Sequence, residues 1–253
     1  MTLGKQKQKQ NQTQSLSHNP QAYGDAAYWD RRYRQDNGAF DWYQQFSGLA
    51  PLLHLYLPHT HRILMVGCGN AVLSEDMVND GYKEIVNIDI SSVVIEAMQK
   101  KYQDYPQLKY ATMDVRDMSA FGSSSFDSVI DKGMLDSLMC GSNAQQSARK
   151  MLEEVRRVLK PGGVYILITY GGPHVRIPHL KSPLWKIILH VVAKPGSRRA
   201  LETTSLAVTE PVPVDDDGSL GPDFDTEDPD LHYVYVCIVG PTKDIRAPEG
   251  EDE

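Results

Sequence analysis

Ile63-Leu64-Met65-Val66-Gly67-Cys68-Gly69-Asn70-Ala71 is a short apolar run that opens into a pair of glycines, after which Leu73 and Met77 start a helical pattern. Strand, glycine turn and helix in that order form the opening of a nucleotide site. The glycines let backbone approach a ligand, and the helix N-terminus faces it. Two glycines after a strand also make an ordinary tight turn. The acid at Asp89, twenty residues beyond Gly69 and closing the run Ile85 to Ile90, tips the reading toward a cofactor. A carboxylate there can accept hydrogen bonds from both hydroxyls of an adenosine ribose, and Ser91 offers a helix N-cap just after it.

Outward from this unit the pattern repeats. Leu108 to Met113, Phe126 to Asp131 and Val164 to Tyr170 are further apolar runs ending in small or acidic residues, with amphipathic stretches between them. That alternation predicts an α/β fold, a Rossmann-like parallel sheet with helices on both faces. Ala148, Met151, Leu152, Val155, Val158 and Leu159 recur at helical spacing while Arg149, Lys150, Glu153, Glu154, Arg156 and Arg157 face away. This predicts a helix ended by Pro161, Gly162 and Gly163. Trp185 to Val192 and Tyr233 to Val239 have no amphipathic helix between them. They are expected to pair antiparallel at one edge, completing a seven-stranded, mostly parallel sheet with an antiparallel edge strand.

In an open parallel sheet ligands bind beyond the carboxyl ends of the strands. The third run ends in Met113-Asp114-Val115, where a carboxylate and an adjacent amide can read an adenine edge. Val72 stands where a dinucleotide fingerprint has its third glycine, which disfavours a pyrophosphate and suits S-adenosyl-L-methionine, whose amino-acid half carries no phosphate. After the fourth run come Asp131, Lys132, Gly133, Met134, Leu135 and Asp136, a polar cluster at the mouth. A surface ion network would have the same composition. Upstream, Trp29 and Tyr33 lie one helical turn apart on a helix from Ala26 to Tyr33, and Phe40, Trp42 and Tyr43 follow. Plain helix packing also accounts for such rings.

Composition bounds the rest. The 253 residues are 41% hydrophobic and suit one large domain with tails. Cys68, Cys140 and Cys237 are odd in number and widely spaced, so neither a disulfide framework nor a zinc site is indicated, and a reducing compartment fits. No apolar run approaches the roughly 18 residues of a membrane span, and the Lys5-to-Gln10 start lacks a signal's apolar core. The expected location is cytoplasmic, with the nucleus an alternative. Residues 1–20 read as a disordered polar tail, 21–240 as the domain, 194–230 as an acidic loop-like insertion and 241–253 as an acidic disordered tail. Residues 210–253 hold 14 Asp and Glu against 2 Lys and Arg. The basic residues elsewhere are dispersed, so no nucleic-acid partner is expected.

Together these residues carry a resemblance. Ile63 to Ala71, Asp89 with Ser91-Ser92-Val93-Val94, Met113 to Arg116, Asp131 to Asp136 and Val158-Leu159-Lys160-Pro161-Gly162-Gly163 resemble the motifs of class I S-adenosylmethionine-dependent methyltransferases. With Tyr28-Trp29-Asp30 to Arg32-Tyr33 and Phe40-Asp41-Trp42-Tyr43, the chain is similar to the methyltransferase-like group that includes the lysine methyltransferases of translation elongation factor 1-alpha. The resemblance implies cofactor contacts from Trp29, Tyr33 and Trp42 in an N-terminal lid, and from Gly67, Gly69, Asp89, Ile90, Asp114, Val115 and Lys132 in the sheet. It implies a protein substrate, with elongation factor 1-alpha a candidate.

Methyl transfer from a sulfonium is an in-line displacement, so a protein must chiefly align donor and acceptor and exclude water. A lysine acceptor must first lose a proton, and lowering its pKa from about 10.4 toward 7.4 corresponds to about 4 kcal/mol, which desolvation can help supply. Asp131 and Asp136 are the candidates to orient the incoming amine. The fourth run is not followed by Asn-Pro-Pro-Tyr or Asp-Pro-Pro-Tyr, which argues against methylation of amide or nucleobase nitrogens. A small-molecule methyltransferase and a non-catalytic cofactor-binding module are the competing readings.

Overall fold

The structure is a computed structural model that describes residues 20–36, 38–197, 208–214 and 229–240. The expected tails at 1–20 and 241–253 fall outside these residues but for Pro20, as does most of the acidic insertion at 194–230. Two helices, α1 (Ala26–Gln35) and α2 (Phe46–Tyr56), precede the sheet. Then follow β1 (Arg62–Val66), α3 (Leu73–Asp80), β2 (Glu84–Asp89), α4 (Ser92–Lys101), β3 (Leu108–Thr112) and β4 (Phe126–Lys132). The remainder comprises α5 (Met134–Met139), α6 (Ala144–Val158), β5 (Leu159–Thr169), α7 (Pro173–Leu180), β6 (Trp185–Ala193) and β7 (Leu231–Val239). Among the described residues, no helix is long and apolar enough to cross a membrane.

The seven strands form one sheet in the order β3-β2-β1-β4-β5-β7-β6. The first five are parallel, and β7 runs antiparallel to both neighbours, inserted between β5 and β6. Alternating side chains explain why both faces are covered. Leu64, Val66, Val86 and Ile88 pack on one side with Met151 and Val155 of α6, while Ile63, Met65 and Ile85 pack on the other with Leu53, Met77 and Ile95 of α2, α3 and α4.

Three local features depart from the sequence reading. α6 ends at Val158, and Leu159 already pairs with Phe126, so Lys160 to Gly163 lie inside β5 as an irregularity. The stop therefore comes before Pro161. Gly162 sits at φ +75°, and a Cβ on Gly163 would lie 2.8 Å from the Lys160 carbonyl oxygen, so the glycines serve a bulge within the strand. α2 and α7 were not anticipated; each contains a proline, Pro51 and Pro178, that breaks up the helical signal.

Candidate active site

Because β1, β2, β4 and β5 are parallel, their carboxyl ends open on one rim, where a cavity of ≈ 330 Å³ lies under α1 and the following loop. Such a volume falls in the range of small-molecule sites. Gly67 (φ +62°) and Gly69 (φ +52°) turn the chain there in a conformation that L side chains rarely adopt. A Cβ on Gly69 would stand 2.8 Å from the Tyr33 hydroxyl, so the turn's backbone stays bare beneath the lid.

Asp89 closes β2 beside this turn. Its Oδ2 accepts from the Gly69 N–H and its Oδ1 from the Ser91 N–H, each at 3.0 Å. Each carboxylate oxygen can accept twice, so Asp89 keeps acceptor capacity for ligand hydroxyls beside these two N–H groups. Burial pushes the Asp89 carboxyl up to about 6, against the pull of the backbone N–H groups.

Three strand-end loops hold the lid. Ser91 Oγ donates to Asp30 at 2.5 Å, fixing α1 over the start of α4. Asn70 donates to the Gly38 carbonyl, and the Val72 N–H donates to Asp41 Oδ2 at 3.2 Å. Lys132 Nζ donates to the Trp42 carbonyl at 2.9 Å and lies 3.1 Å from Asp41 Oδ1, a charge contact off the hydrogen-bond axis. Burial pushes the Lys132 ammonium below its ordinary value, with Asp41 opposing the shift. Trp29 stacks on Tyr33 with ring centroids 5.9 Å apart, and Arg32 lies within 6.0 Å of the Trp29, Phe40 and Trp42 rings.

Across β1 from Asp89's strand, Asp136 lines the cavity from the first turn of α5, which follows β4. Its Oδ1 accepts from Arg176 at 2.5 Å and from Thr169 at 2.5 Å, and its Oδ2 accepts from the Tyr43 hydroxyl at 2.7 Å. Arg176 is 1% exposed, so the pair is a buried one, and its Nε also donates to Thr169 Oγ1 at 3.2 Å. Tyr43 reaches Asp136 from a backbone φ of +63°, a conformation costing a non-glycine residue about 1–3 kcal/mol. Burial first, then the Asp136 carboxylate, pushes the Tyr43 phenol well above its ordinary value, so it remains a donor.

Trp29, Tyr33, Trp42, Gly67, Gly69, Asp89, Ile90, Asp114, Val115, Lys132 and Asp136 all line this one cavity. Asp131 does not. It is fully buried beneath the rim, where its carboxylate accepts from the Met134 and Leu135 N–H groups and the Tyr165 hydroxyl, and burial pushes it up to about 7. The expectation that it touches an incoming amine is corrected: it caps α5 and thereby sets Asp136. Asp114 lines the cavity, but both its oxygens are taken by the Arg116 guanidinium, a partner not foreseen. The sequence reading also missed Asp41, Thr169, Tyr170 and Arg176. No local spacing marks them, because they meet the rim only through the fold.

The comparisons agree with this geometry. Residues 64–167 match a family model described as a methyltransferase domain. EEF1A lysine methyltransferase 4 of Mus musculus is 40% identical over 167 residues, covering 62% of this chain and 65% of that protein. The human eEF1A lysine and N-terminal methyltransferase is 36% identical over 178 residues, covering 68% of this chain and 25% of the relative. The chain thus spans a little under two thirds of the first and a quarter of the second. A chain from the complex between the Haloferax volcanii Trm112 methyltransferase activator and a methyltransferase superposes with a TM-score of 0.51 at 12% identity, over 89% of this chain and 98% of that one. The [4+2]-cyclase SpnF superposes at 0.50 and 16% identity, over 88% of this chain and 96% of that one. At such identities the likeness concerns the fold alone, and a cyclase sharing it shows that fold and reaction are separable.

Sheet order, rim cavity and matched domain define the class I methyltransferase fold. Within that class the chain is similar to the eEF1A lysine methyltransferases. The cofactor that the matched domain and the fold imply is S-adenosyl-L-methionine, and the bare glycine turn beside the strand-end carboxylate of Asp89 fits its adenosine half.

Proposed function

We propose that this protein is an S-adenosylmethionine-dependent protein-lysine methyltransferase, with translation elongation factor 1-alpha its leading candidate substrate. The observation that carries the reading is the gathering of an acid-terminated strand, a bare glycine turn and an aromatic lid around one cavity that Asp136 also lines. Similarity to proteins named as eEF1A lysine methyltransferases supports the acceptor class.

When bound, the cofactor supplies an activated methyl group. Asp89 holds the ribose hydroxyls, Trp29, Tyr33 and Trp42 exclude water, and Ile90, Asp114 and Val115 frame the adenine. Lys132 acts by tying the lid loop to the sheet. Asp136, Tyr43 and the exposed ring of Tyr170 form the end at which a lysine amine enters and sheds its hydration. The three free cysteines accord with a cytoplasmic location.

The test is incubation with purified elongation factor 1-alpha and labelled cofactor, followed by mass spectrometry of the substrate. Lysine methylation that disappears with Asp89→Ala supports the reading. Label confined to small molecules after desalting contradicts it.

A further inference from the structure

Away from the cavity, α2, the turn before β1 and the end of α3 bring together three side chains. His54 lies in the last turn of α2, His59 follows it in the turn, and Asp80 is the last residue of α3. Both imidazole Nε2 atoms point at the same carboxylate oxygen, Asp80 Oδ2, from 2.7 Å and 3.0 Å. The three ligand atoms all lie within 4.8 Å of one another, and none of the three residues lines the cavity.

We propose that His54, His59 and Asp80 form a surface site for a late first-row divalent cation, with zinc as its best-suited occupant. Two imidazoles and one carboxylate match zinc's preferred ligands, and metal–ligand distances of about 2.0–2.1 Å place tetrahedral ligands about 3.3 Å apart. The two nitrogen–oxygen separations, 2.7 Å and 3.0 Å, need only a few tenths of an ångström of widening to reach that spacing, and the two ring nitrogens lie within 4.8 Å of each other. The ion takes the place of the two protons that otherwise satisfy Oδ2. About half of each imidazole surface and a quarter of Asp80's are open to solvent, which leaves room for a water as the fourth ligand.

The rings are positioned before any ion arrives. His59 packs edge-on against Tyr82 with centroids 4.6 Å apart and against His54 at 5.6 Å, and His54 also meets Phe46 at 6.4 Å. The turn is itself fixed, since the His61 N–H donates to the Pro58 carbonyl and the Lys83 N–H to that of His59. Ligands locked by their surroundings lose little entropy on binding. The site would clip the carboxyl ends of α2 and α3 together, so its occupant is a structural ion. The ligands come from separate elements, which is why residue spacing alone indicated no zinc site.

Calorimetric titration of the full chain with zinc chloride in a non-chelating buffer tests this, alongside His59→Ala and Asp80→Asn, with circular dichroism confirming that both variants fold. The expected result is one saturable equivalent whose affinity falls at least about tenfold in each variant, the lower end of what losing even an outer-shell partner costs. A zinc-dependent rise in melting temperature should accompany it in the wild type and vanish in His59→Ala. No saturable binding, or binding of equal affinity in the variants, overturns the proposal.

Discussion

Lys132 at the end of β4 and Asp41 in the lid loop meet at 3.1 Å with 6% and 8% of their side chains exposed. This buried charge pair joins the lid to the strand that carries Asp131, and the same ammonium donates to the Trp42 carbonyl. Removing one charge leaves the other buried without compensation. Asp41→Asn should therefore cost about 3–5 kcal/mol in urea unfolding, while the double variant Asp41→Asn with Lys132→Met should recover much of that loss. Equal losses in single and double variants would contradict the pairing.

Asp89 titrates at about 6, and only its ionised form can accept from two hydroxyls at once. Cofactor affinity should hold above pH 7 and weaken as pH falls through 6, by about tenfold at pH 5, where about a tenth of the carboxyl is ionised. Asp89→Asn should bind more weakly throughout, with a flat profile. The dissociation constant measured between pH 5 and 8 decides the matter.

Tyr43→Phe deletes one hydrogen bond to a buried carboxylate without leaving Arg176 unpaired. The loss should be about 1.5–3 kcal/mol of local stabilisation. Methyl transfer should fall at least about tenfold while cofactor affinity changes less than about twofold, a split read from kcat and the cofactor dissociation constant. An equal fall in both would move Tyr43 from the acceptor end to the cofactor.

Asp131 carries a different pH signature. Its folded pKa of about 7 lies above the unfolded value, so the stability it contributes is present at low pH and is lost as pH rises from about 4 through 7. Asp131→Asn removes that dependence and adds a constant cost, because its amide nitrogen now faces a donor. Stability measured by denaturant from pH 5 to 8 should show the wild type's advantage over the variant shrinking with pH, by up to a few kcal/mol. A constant difference would mean that Asp131 is ionised across the whole range.

The strand-end acids and the glycine turn were legible because each depends on a local pattern, an apolar run and the few residues that close it. The seven-stranded sheet followed from the same alternation. What stayed hidden was tertiary. Asp136 finds Tyr43 93 residues upstream and Arg176 40 residues downstream, and the helix bearing Arg176 is disguised by Pro173 and Pro178. The sequence marks Asp131 as a candidate to orient the incoming amine because it sits at a strand end. The strand's pleat sends its side chain under α5, whereas Lys132, the next residue, reaches the cavity.

The most direct measurement is a calorimetric titration of S-adenosyl-L-methionine into the wild-type chain and into Asp89→Ala at neutral pH. One equivalent bound by the wild type, with affinity lost in the variant while the fold is retained, is the predicted result. No binding to the wild type, or equal binding to both, would contradict the assignment of this rim cavity to the cofactor.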